Sequence, residues 1–179
     1  MELTYENVVA WFDNYYKDFN KHAGPLETVP NMMKYFAPDL DWWSYGMPSA
    51  DRKPTSRDGL LISMVHPGLH EELTPQQYII DLKQMVVVVQ FQLQFTDEVS
   101  GTTWPPREAS CHYTIRLDEN KDLKITQIKY WTEAGLPPTD GQPNIMDLWR
   151  QYRDKALTEL ATSWMKAPHQ TLDEVKAKL

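Results

Sequence analysis

Cysteine is almost missing from this 179-residue chain: Cys111 stands alone, so no disulfide can form within one molecule. With no apolar leader-like run ahead of Tyr5, a reducing, cytoplasmic setting is the expectation. Long apolar runs are missing too. The longest unbroken one, residues 85–89, falls far short of the roughly 20 residues that span a bilayer. Positive charge is in deficit, with 18 Lys+Arg against 25 Asp+Glu and a pI near 5.2. That balance opposes the counterion release behind nucleic-acid binding and leaves no basic patch for anionic lipid. Glycine is scarce at 7 residues, and no Gly-rich phosphate loop or convincing metal cluster occurs, so no cofactor is implied. What remains as partner is a small hydrophobic molecule or another protein, with no nucleic acid and no membrane.

What the chain has instead is aromatic side chain: 7 Trp, 9 Tyr and 5 Phe. Rings in that number fill a core or line a cavity. Residues 6–20 repeat Val8, Trp11, Phe12, Tyr15 and Phe19 at helical spacing behind Thr4, a natural N-cap. A shorter helical segment is expected at 31–36, a strand at 40–45, a loop at 46–54 and a helix at 55–65 capped by Thr55 or Ser56. The period then changes. A short strand is expected at 78–82, and long alternating strands at 85–95, 109–117 and 123–133, joined locally into an antiparallel sheet. A Pro/Gly-rich linker, 135–143, leads to an amphipathic helix over 144–165 with Ile145, Leu148, Trp149, Tyr152, Ala156 and Leu160 on one side. A last short helix or frayed tail is expected at 171–179.

The stretch Met33-Lys34-Tyr35-Phe36-Ala37-Pro38-Asp39-Leu40-Asp41 and the closing hairpin, with Lys124-Ile125 and Ile128-Lys129-Tyr130-Trp131, resemble the nuclear transport factor 2-like superfamily in its SnoaL-like branch of polyketide cyclase and ketosteroid isomerase-like proteins. The resemblance implies an α+β fold, a cone-shaped curved antiparallel or mixed sheet wrapped around an N-terminal helical layer. Residues 1–134 would form the cone and 144–179 an extra C-terminal helical extension. It also implies an apolar cavity and a homodimer through the sheet's outer face. The activity it implies is cofactor-independent acid/base chemistry, such as cyclisation, dehydration or isomerisation, on a hydrophobic carbonyl-bearing or polyketide-like substrate. The alternative is a non-catalytic ligand-binding or assembly module, because one fold serves many functions.

Carried over by position, Tyr15 falls near the ketosteroid isomerase tyrosine that donates to the oxyanion, and Tyr113 near that family's protonated acid. Ser44 stands where its carboxylate base would be. Glu133 lies near the acid/base aspartate of SnoaL-type cyclases. The catalytic candidates are therefore Glu133, Tyr15 and Tyr113, with Trp42, Ser44, Phe91, Cys111 and Trp131 as substrate-binding residues and no metal.

The commonplace alternatives are strong: a strand-end glutamate is usually solvated, and a helix-face tyrosine usually core. Strand parity puts Val87 to Phe95, Ala109, Cys111, Tyr113 and Ile115 inside. It sends Gln90, Gln92, Gln94 and His112 to the outer face or a dimer seam. Asp41 is expected to point away from the pocket. His66 and His70, in His66-Pro67-Gly68-Leu69-His70-Glu71-Glu72, carry metal-ligand types, but the Pro-Gly break removes the helical spacing that zinc motifs use. Cys111 reads as a buried small hydrophobe. The C-terminal helix either docks across the pocket mouth or joins a second subunit.

Overall fold

The computed structural model describes residues 2–45, 56–132 and 144–166, with side chains up to residue 160. Glu133, the 46–54 loop, Thr55, the 135–143 linker and the 171–179 tail lie outside the described residues.

Helix α1, Tyr5–His22, starts where expected because the Thr4 hydroxyl accepts from the Asn7 N–H at 3.2 Å. It buries Val8, Phe12, Tyr15, Tyr16 and Phe19 along one face. At its end Gly24 takes φ +108°, a conformation that side chains disfavour, and turns the chain into a short 3-10 helix, Val29–Tyr35. The segment expected at 31–36 is thus earlier and tighter. Strand β1, Phe36–Ser44, begins four residues before the expected start and runs through Pro38. The helical turn ends at Tyr35, ahead of Pro38, which lies inside β1; β1 is a sheet edge, where the missing N–H costs no ladder bond. Helix α2, Arg57–Ser63, is capped by Ser56, whose hydroxyl accepts from the Gly59 N–H.

Strand β2, Leu69–Asp81, differs most from expectation, 13 residues long where a short strand at 78–82 was predicted. It hydrogen-bonds to β3, Val86–Asp97, from Leu69↔Asp97 to Asp81↔Val86, and slips register between Pro75 and Gln77. The Asp81 carboxylate accepts the N–H groups of Lys83 and Gln84, both at 2.9 Å, and shapes the tight turn. Two-residue β4, Thr102–Thr103, pairs with the end of β3. Strands β5, Arg107–Leu117, and β6, Leu123–Thr132, close the sheet. The order is β1-β6-β5-β3-β2, with β1–β6 parallel and the other neighbours antiparallel.

Alternation in β3 and β5 decides where the core lies. Val87, Val89, Phe91, Leu93 and Phe95 are buried with Ala109, Cys111, Tyr113 and Ile115, facing α1, while Gln90 and Gln92 are exposed on the other side. Phe12 is wholly buried and packs 4.9 Å from the Tyr113 ring. Helix α3, Ile145–Lys166, buries Ile145, Trp149 and Ala156 against this body. Among the described residues, no helix is long and apolar enough to cross a membrane.

Candidate functional site

The helices do not fill the inner face of the sheet. Between α1, α2, α3 and the sheet lies a cavity of about 260 Å³. Phe91, Leu93 and Phe95 of β3, Cys111 and Tyr113 of β5, and Ile128 and Tyr130 of β6 form its sheet wall. Tyr15 and Phe19 of α1 and Trp42 of β1 close one side, and Leu60 and Met64 of α2 another. Ile145, Met146 and Trp149 of α3 form a roof, with Arg150 at the rim and tied to Asp147 at 3.0 Å. An apolar cavity of about 150 Å³ holds benzene. This one therefore fits a molecule of one to two rings.

Its polar groups are few. The Tyr113 hydroxyl, at the wall, lies 2.8 Å from the Tyr16 hydroxyl, both groups wholly enclosed. Burial first, then the nearby Cys111, pushes the phenols of Tyr15, Tyr16 and Tyr113 well above the usual tyrosine range, so all three remain neutral hydroxyls. Burial likewise pushes the Cys111 thiol up to about 12, which keeps it unionised and unreactive.

Among the described residues that line the cavity, Glu71 is the one carboxylate. It projects inward because β2 begins at Leu69: Leu69 and Leu73 are buried, and Glu71 shares their face. Its negative charge adds to burial in raising Tyr15 and Tyr130. Behind it stands His66, wholly buried, with Nε2 at 3.4 Å from Glu71 Oε2. Burial alone would depress the imidazole, but Glu71 and the Leu69 carbonyl outweigh it and the net shift is upward.

Of the residues singled out from the sequence, Tyr15, Tyr113, Trp42, Phe91 and Cys111 meet at this cavity. Ser44 and Trp131 are not on its wall. Ser44 sits at the end of β1, past Trp42, with its hydroxyl buried and without a hydrogen-bond partner. Trp131 follows the inward Tyr130 in β6, so it points outward. There it stacks on Tyr45 at 4.9 Å and packs on His112 at 4.3 Å, while Trp43 stacks on Tyr45 at 6.2 Å. His112 is accordingly an exposed outer-face residue, lowered by partial burial and by Lys129. His70 alternates with Glu71 and faces away from the cavity, and no three His, Cys, Asp or Glu side chains among the described residues come together as a metal site.

Glu71 and His66 are what the sequence alone did not place in the site; the α3 roof is the first of the two placements expected for the C-terminal helix, across the pocket mouth. The signal for Glu71 is the alternation Leu69, Glu71, Leu73, which the metal-ligand types at His66, His70 and Glu72 overlie. For the roof it is the apolar stripe Ile145, Trp149.

No protein-family model and no curated protein matches the chain. Solved structures do. The β subunit of benzoate 1,2-dioxygenase from Burkholderia mallei superposes with TM-score 0.56 at 10% identity, over 74% of this chain and 93% of that one. ActVI-ORFA from Streptomyces coelicolor gives 0.54 at 9%, over 72% and 97%. Nuclear transport factor 2 from Cryptosporidium parvum gives 0.52 at 9%, over 69% and 90%. Identities this low make the likeness one of fold and not of activity.

Proposed function

For a chain with the nuclear transport factor 2-like fold, α+β with a C-terminal helix, we propose cofactor-independent acid/base chemistry on a hydrophobic, carbonyl-bearing molecule of one to two rings held in the cavity. The observation that carries this reading is Glu71, the one carboxylate among the described residues that line a mostly apolar cavity, with Tyr15 and Tyr113 on the same wall. The acid/base role expected of Glu133 is assigned to Glu71. A carbonyl oxygen would accept from a tyrosine hydroxyl while Glu71 takes the proton from the adjacent carbon. The electron pair then moves onto oxygen as an enolate that the hydroxyls stabilise. Return of the proton to another carbon isomerises the molecule. Loss of hydroxide from the β-carbon, with that proton returned to it, dehydrates it.

The test uses 1-tetralone, a two-ring ketone, whose α-protons exchange in D2O. The protein accelerates the exchange, and Glu71→Gln loses about 100-fold or more of that acceleration. Equal exchange in both proteins would overturn the reading. The rival is a ligand-binding module without chemistry. The Tyr16–Tyr113 pairing favours it, because Tyr113 already has a partner. It predicts that 2-naphthol binds while 1-tetralone exchanges no faster than in buffer.

A further inference from the structure

The short connection between α2 and β2 is pinned to the end of α1 more tightly than a surface loop requires. The Gly24 N–H donates to the Met64 carbonyl at 2.8 Å, and the His66 N–H donates to the Gly24 carbonyl at 2.9 Å. The His66 carbonyl in turn accepts from the Leu69 N–H at 3.1 Å. His66 therefore cannot shift without moving both elements, and no part of it reaches solvent.

Its ring is oriented as firmly as its backbone. Nδ1 lies 2.8 Å from the Leu69 carbonyl, which can only accept, so Nδ1 carries hydrogen and donates. Nε2 is thereby directed away from the backbone, buried and without a hydrogen-bond partner of its own. The polar atom within ion-pair range is Glu71 Oε2 at 3.4 Å. A ring nitrogen enclosed in this way is costly unless a neighbour satisfies it, and a proton between it and a carboxylate does so for both. Glu71, in contrast, keeps part of its side chain open, 19% of it, on the cavity side.

We propose that His66 is the positioning partner of Glu71: the clamped imidazole carries a proton that points at the cavity carboxylate and orients it. This rests on the acid/base role given to Glu71 above. It adds that the base is a two-residue unit, one member facing the ligand and the other sealed behind it. Among the charged and titratable side chains of the described residues, Glu71 of β2 acts on His66 most strongly. Tyr15 of α1, Cys111 of β5 and Tyr130 of β6 also surround the carboxylate's field, and burial keeps each neutral. A proton on the folded imidazole is favoured, so the contribution of the pair is complete below the ordinary histidine value. It is lost as pH rises through the raised one.

The test begins without any ligand. The imidazole of His66 is titrated by NMR in the full chain and in Glu71→Gln. The midpoint lies above that of an ordinary histidine and falls in the variant; a midpoint that does not respond to Glu71→Gln overturns the proposal. Turnover of 1-tetralone then separates positioning from packing. His66→Asn preserves a donor to the Leu69 carbonyl but cannot reach Glu71, and loses about 10- to 100-fold in kcat, the worth of a hydrogen bond to a charged group. His66→Gln, long enough to reach Glu71, recovers part of that loss and lacks the alkaline limb of the pH profile. Wild-type kcat in both variants overturns the proposal. If the His66 variants do not fold, the titrations of the wild type and Glu71→Gln decide alone. Should the titrations couple while Glu71→Gln exchanges 1-tetralone like the wild type, the pairing stands and the catalytic role of Glu71 falls, so the two readings fail separately.

Discussion

Tyr152→Phe tests whether α3 is a separately latched roof. The Tyr152 hydroxyl donates to Asp97 Oδ1 at 2.8 Å, and Asp97 is a buried carboxylate, 4% exposed, at the end of β3. Asp97 also accepts from the Ser100 hydroxyl and, at 3.1 Å, from the Val99 N–H, so it is not orphaned by the substitution. The ring itself stays packed over Gly68, where even a Cβ would meet Tyr152 Cε1 at 3.5 Å, an ordinary van der Waals distance. A hydrogen bond to a charged group contributes about 1.5–3 kcal/mol, and with the acceptor still satisfied the lower end applies, about 1.5–2 kcal/mol. That is roughly a 10- to 30-fold change in an opening equilibrium. Native-state hydrogen exchange reads it directly: amide protection across residues 148–156 falls by that factor, while Val87 and Cys111 in the sheet are unchanged. Protection that does not move, or that falls equally in β3, refutes the latch. Burial would raise the Asp97 carboxyl, but bonds from Ser100 and Tyr152 outweigh it and hold it low. A depressed folded value means the stabilisation is present above the ordinary carboxylate value and is lost as pH falls through the folded one. Wild-type α3 therefore loosens in acid, and Tyr152→Phe flattens that dependence.

Trp42→Ala weakens 2-naphthol binding by fluorescence titration, whereas Trp131→Ala leaves it unchanged, because only the first is on the cavity wall; equal effects would contradict the strand parity. Cys111 does not react with iodoacetamide at pH 8 in the folded protein, since its thiol is enclosed and pushed up to about 12, and labels at the rate of unfolding. Mass spectrometry during a urea series checks this. Phe12→Ala lowers the free energy of unfolding by about 3–5 kcal/mol, measured by urea denaturation, because Phe12 is fully enclosed between α1 and the sheet. A loss under about 1 kcal/mol, well below what truncating a buried Phe costs, would show that the enclosure is loose.

Where side chains alternate cleanly, the sequence was sufficient. Val87 to Phe95 against Gln90 and Gln92 shows both the strand and its inner face, and Thr4 and Ser56 mark helix starts by their chemistry. Strand β2 was hidden because it is an edge: Pro75 and the outward polar residues of its first half break the pattern a central strand would keep. That is why Glu71 escaped notice, since without the strand there was no parity to point it inward. Trp131 was misplaced for a related reason. Tyr130-Trp131 is aromatic on both sides of the strand, and only pairing with β5 reveals that Tyr130 faces in. The His66 pairing was out of reach, because it depends on Gly24, distant in sequence, holding the loop.

The parallel pairing of β1 with β6, from Phe36↔Ile125 to Ser44↔Tyr130, sets a schedule for biosynthesis. A ribosome delivers β1 long before its neighbour exists, so the apolar side chains of Phe36 and Leu40 must wait until the sixth strand has left the exit tunnel. Closing so long a loop is slow. The nascent chain thus passes through a period with an uncovered edge, when a chaperone, or an unwanted strand from another molecule, has its opportunity.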